Sequence, residues 1–76
     1  MPVFDITVVN QTFESCNQHD LPSEADAHAE AIRGALEIAV AEVGIGNPLF
    51  AAEVKVASEG NHLARYVISI GVSPLR

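Results

Sequence analysis

Apolar and polar residues alternate at the start of the chain. In Val3-Phe4-Asp5-Ile6-Thr7-Val8-Val9, Phe4, Ile6 and Val8 share one face, and Asp5, Thr7 and Val9 share the other. That period of two predicts a half-buried strand. Asn10-Gln11 reads as a short turn, and Thr12 to Cys16 as a returning second strand with Phe13 as its core residue. Asn17-Gln18-His19-Asp20 reads as a polar connection to Leu21-Pro22, where a helix begins.

Ser23 is a good N-cap, because its hydroxyl can accept from an amide of the first turn. Asp26 stands where a capping box places Glu or Gln, and Glu24 and Asp26 both suit the positive end of the helix dipole. The helix is predicted from about Glu24 to Val43. Ala25, Ala29, Ile32, Leu36, Ala39, Val40 and Val43 form an apolar stripe about 100° wide, the expected core contact. Asp26, Glu30, Arg33 and Glu37 form a charged face. Gly44 is placed to end the helix as its left-handed C′ residue, and Asn47-Pro48 prevents continuation. A third face carries Ala27, Ala31, Gly34, Ile38 and Ala41. Two readings of it stand open. Either it widens the helix footprint on a twisted sheet, with small residues allowing close approach, or it is the contact for a second helix or subunit.

Alternation returns after the helix. Phe50, Ala52, Val54 and Val56 oppose Ala51, Glu53, Lys55 and Ala57. Glu59-Gly60-Asn61-His62 supplies a tight reversal. In the last strand Ala64, Tyr66, Ile68, Ile70 and Val72 face inward, and Arg65, Val67, Ser69 and Gly71 face outward. The order β-β-α-β-β predicts an α+β fold, with a single long helix packed on one face of a four-stranded antiparallel sheet. The other sheet face is mixed and mildly apolar, so it is either solvated or a dimer surface.

Length changes the picture next. Seventy-six residues make one domain, spanning 1–76, whose core leaves a margin of roughly a few kcal/mol over chain entropy. Cys16 is the only cysteine, so no disulfide can form within the chain. Oligomerisation is the remaining remedy, and a homodimer is the expected state. Met1-Pro2-Val3-Phe4-Asp5 has no basic segment followed by an apolar run, so no signal peptide is expected, and no stretch approaches a membrane span. One cysteine and no targeting signal make the cytoplasm the expected location. The net charge of −6 is unevenly placed. Residues 1–32 hold six acids and no Lys or Arg, whereas residues 33–76 hold four of each sign. Scattered bases cannot displace counterions from phosphates, so nucleic-acid binding is not expected.

The layout resembles a group of short, uncharacterised bacterial proteins known only as a domain of unknown function. The matching pieces are Met1-Pro2-Val3-Phe4-Asp5, Asp20-Leu21-Pro22-Ser23, Ala25-Asp26-Ala27-His28-Ala29-Glu30-Ala31 and Ala52-Glu53-Val54-Lys55-Val56. They span most of the chain. The resemblance implies a fold and carries no activity or catalytic residues.

Candidate chemistry is sparse. Cys16-x2-His19 has local metal-ligand spacing, with His28 or His62 to complete a zinc site. No paired Cys or His motif accompanies it, so no metal and no cofactor are expected. A Cys16–His19 nucleophilic pair lacks any sign of an oxyanion hole. Gly44-Ile45-Gly46-Asn47 follows a helix and precedes a strand, the reverse of a phosphate loop. Three functional classes remain open. They are a non-catalytic interaction module acting as a homo-oligomer; a small-ligand binder or minor enzyme with a site between subunits near His28, Arg65 or Tyr66; and an acidic, inhibitor-like partner of a basic protein.

Overall fold

A computed structural model of the chain describes residues 2–75. The elements are β1 (Val3–Val9), β2 (Glu14–Asp20), α1 (Glu24–Gly44), β3 (Leu49–Ser58) and β4 (Asn61–Gly71). All four strands join one antiparallel sheet in the order β2-β1-β3-β4, and α1 lies on one face. The fold is therefore α+β with the order β-β-α-β-β.

The first hairpin is longer than its sequence pattern implies. Asn10 Oδ1 accepts from the backbone N–H of Thr12 at 2.9 Å and of Phe13 at 3.1 Å, and Asn10 N–H donates to the Phe13 carbonyl at 3.0 Å. That closed loop aligns Val9 with Glu14 and starts a full ladder ending at Val3 opposite Asp20. Asn17 to Asp20, expected as a connection, are thus paired strand. Backbone pairing with β1 overrides the low strand propensity of four polar residues. Phe13, expected in the strand, sits in the loop. It stacks on Phe50, with ring centroids 6.5 Å apart and planes at 28°.

The helix starts as its sequence indicates. Ser23 Oγ accepts from the Asp26 amide at 3.3 Å, and its own O–H donates to Asp26 Oδ2 at 2.8 Å. The end lies further on than expected. Ile45 is the C-cap, and Gly46, not Gly44, takes the left-handed conformation at φ +104°. Gly46 N–H donates to Val43 O at 3.1 Å and Asn47 N–H to Glu42 O at 3.2 Å. This bond pair is the Schellman motif, which needs a residue free of Cβ strain at Gly46. At the other turn, Glu59 and Gly60 both have positive φ, the geometry of a two-residue hairpin.

On the sheet, the core rows fall where alternation puts them, except that Val72, expected on the inner face of the last strand, lies beyond the end of β4 and is exposed. Phe4, Ile6, Val8, Phe50, Ala52, Val54 and Val56 are buried, and Tyr66, Ile68 and Ile70 are packed against them. The helix differs from expectation. Its buried residues are Ala27, Ala31, Ala35 and Ala39, spaced four apart. Of the expected stripe only Ala39 is buried, while Ala25, Ala29, Ile32, Leu36 and Val40 are exposed and Val43 is half-buried. The physical reason is depth. Two Phe rings, Ile6 and three Val side chains already fill the layer from the sheet side. The helix completes it with methyl groups, because larger side chains would overpack it.

Candidate functional site

The i, i+4 rows of α1 point in known directions. His28 meets Tyr66 of β4, which puts that flank on the β4 side. Glu30, Gly34 and Ile38 line a groove with Ser15, Asn17 and His19 of β2, which puts the opposite flank there. The small-residue face expected for a partner lies between these flanks. Ala27 and Ala31 are fully covered by the chain's own sheet, Gly34 and Ile38 are half-buried beside them, and only Ala41 is exposed. The face therefore serves close helix–sheet approach, the first of the two readings left open above. For a partner the face offers Ala41 and the partly covered Gly34 and Ile38, whereas Ala27 and Ala31 have no free surface.

What α1 presents outward is Ile32, Leu36 and Val40, exposed by 38%, 41% and 68%. Exposed Ala29 precedes them and half-buried Val43 follows. A charged flank borders this stripe. Arg33 is ion-paired with Glu30 and, at 2.8 Å, with Glu37. The hydrogen bond from Arg33 holds the Glu30 carboxyl below the ordinary glutamate range. Arg33, Leu36, Glu37, Val40 and Ala41 enclose a shallow, mainly apolar hollow of about 500 Å³. Four of them, Arg33, Leu36, Glu37 and Val40, stand at i, i+3, i+4 and i+7. That is the hole which receives a side chain from a facing helix.

Other clusters were expected near the histidines. His28 Nε2 lies 3.1 Å from Glu24 Oε2 and donates to it, since a carboxylate can only accept, and Nδ1 is hydrogen-bonded to the Tyr66 hydroxyl. The rings meet edge to face at 5.7 Å. This Glu24–His28–Tyr66 line fastens the helix to β4 and opens to solvent on the Glu24 side. Arg65 points to the outer sheet face, where alternation along the last strand puts it, and so stands apart from His28 and Tyr66. There it bonds Glu53 at 2.9 Å and keeps that carboxyl's pKa low. Cys16 and His19 do not converge. They are three apart on a strand, so Cys16 shares the outer face with residues opposite Thr7, and His19 shares the helix side opposite Phe4. Among the described residues no three His, Cys, Asp or Glu side chains gather as a metal site would require. Among the described residues no helix is long and apolar enough to cross a membrane.

The groove between β2 and α1 has about 210 Å³, with Ile6 and Val8 as its floor. A second hollow, of about 570 Å³, opens at the far end of the sheet beside Asn10, Gln11, Thr12 and Asn47.

The outward stripe was missed as a surface because Ile, Leu and Val dominate any hydrophobicity average. The signal that identifies the true core face is the unbroken i, i+4 series Ala27-Ala31-Ala35-Ala39, beneath strands rich in Phe and Val. No family model, no curated protein and no solved structure matches the chain.

Proposed function

We propose that this chain is a non-catalytic interaction module that works as a homo-oligomer, in its simplest form a dimer. The observation that carries the reading is the exposed Ile32-Leu36-Val40 stripe on a helix whose own core contact is already complete. A helix with apolar residues on two opposite faces is a helix between two partners. One partner is the sheet, and the other lies outside this chain.

Surface area supports the same reading. The chain exposes 5058 Å², against about 4500 Å² for a monomeric protein of its mass. Its Cα radius of gyration is 13.7 Å, against about 11 Å for a chain of this length folded on its own. The reading places the protein in the cytoplasm, where exposed Cys16 stays reduced, and among the short domains of unknown function that its layout resembles.

Sedimentation velocity over a concentration series tests the proposal. A dimer forming in the micromolar range is expected, because a contact of one helix face lies at the small end of protein interfaces, on the order of 1000 Å² in total. Leu36→Glu should leave the far-UV circular dichroism unchanged and make the chain monomeric. A wild-type chain that stays monomeric up to about 200 μM would remove the proposal.

A further inference from the structure

We infer that the partner of the α1 stripe is a second copy of this chain, docked helix to helix and antiparallel, about a two-fold axis at Leu36. The inference rests on the self-association proposed above and specifies its geometry.

A two-fold contact is isologous, so the surface must match itself when turned about the axis. The stripe does. Ala29, Ile32, Leu36, Val40 and Val43 are spaced symmetrically, three and four residues apart on either side of Leu36. An axis through Leu36, perpendicular to an antiparallel pair, lays Ile32 over the partner's Val40 and Ala29 over the partner's Val43. Leu36 meets its own copy. The hollow bounded by Arg33, Leu36, Glu37 and Val40 lies at the same level, so the side chain that fills it is the partner's Leu36.

Charge selects the antiparallel orientation. Arg33 and Glu37 stand on one flank, four residues apart and of opposite sign. Antiparallel copies bring the same flanks together, with Arg33 within reach of the partner's Glu37 on both sides of the axis. The two intrachain pairs then become a ring of four alternating charges. Parallel copies would set this flank against the opposite flank of the partner, so that Arg33 meets no Glu37 of the partner, and would bring the acidic helix starts, Glu24 and Asp26, side by side. Like charges so placed are repulsive, and aligned helix dipoles add to the cost.

Single-cysteine variants in a Cys16→Ser background distinguish the geometries. Ile32→Cys and Val40→Cys chains are mixed and treated with a short bifunctional maleimide. Antiparallel docking yields the 32–40 heterodimer in excess over the 32–32 and 40–40 products, whereas parallel docking reverses the order. Charge exchange gives an independent reading. Arg33→Glu or Glu37→Arg alone should raise the dimer dissociation constant about tenfold, through two like-charge contacts per dimer. The double exchange should restore it to within about threefold. If wild type dimerises but the crosslinks favour 32–32, or the double exchange fails to restore affinity, this geometry is overturned and self-association stands. If wild type does not dimerise at all, the underlying reading fails instead.

Discussion

The two long faces of α1 invert the usual ordering of residue size and burial. Ala27, Ala31, Ala35 and Ala39 are sealed from solvent, while Ile32, Leu36 and Val40 remain open. Hydrophobicity alone would turn the helix over. It stays in this orientation because volume is a second constraint. The sheet supplies Phe4, Ile6, Val8, Phe50, Val54 and Val56 to one layer, and that layer accepts only methyl groups from above. The contrast teaches that a helix stripe should be judged against the volume its sheet already fills, and that surplus large residues are then available for another surface.

Opposite substitutions on the two faces would break the contrast most directly. Ala31→Leu forces an isobutyl group into a filled layer and should destabilise the chain by about 2–3 kcal/mol in urea unfolding. Leu36→Ala removes a comparable volume from the exposed face. It should change the stability of the monomer, measured below the dimerisation range, by no more than about 0.5 kcal/mol. If the two effects came out reversed, the helix would be turned the other way and the stripe would be core.

Strand faces were readable from residues alone because alternation has a period of two, and each sheet row then has only two possible directions. The rows of β1, β3 and β4 follow it, and so does the cap at Ser23. Two features escaped for different reasons. Residues Asn17 to Asp20 carry no strand signal of their own, and their pairing is imposed by the ladder that the Asn10 loop begins. The helix phase escaped because two apolar faces compete, and the competition is settled by packing depth, a property of the sheet rather than of the helix. The candidate site was legible only as an expectation of self-association. Of the face assigned to it, the sheet covers Ala27 and Ala31 and leaves Ala41 exposed.

The cap fixes which residues begin the helix and so helps set the phase of both faces. Ser23→Ala removes the acceptor for the Asp26 amide and should cost about 1 kcal/mol by urea unfolding, without moving the monomer–dimer equilibrium. A loss of dimer together with stability would mean that the helix start takes part in the contact.

Gly34 sits between the faces, on the flank toward β2. A Cβ built there meets nothing within 4 Å, so close packing does not demand glycine. Gly34→Ala should therefore stabilise the chain by a little under 1 kcal/mol through helix propensity. Destabilisation would show that the helix approaches β2 more closely than the groove of about 210 Å³ allows.

The smallest expected effect concerns the charged flank beside the stripe. Hydrogen bonds from Arg33 and Arg65 hold Glu30 and Glu53 below the ordinary glutamate range. A carboxyl whose folded pKa is depressed contributes stability above its unfolded pKa and loses it as pH falls through the folded value. Stability should thus decline from about pH 4.5 downward, and the decline should be shallow because both pairs face solvent. About 1 M salt should flatten it further. Arg65→Gln should remove the Glu53 share alone and leave association untouched, since that pair lies on the sheet face away from α1. Arg33→Gln should remove the Glu30 share and weaken the dimer as well. If both variants changed only the acid limb, the flank would be a solvated surface with no part in partner choice.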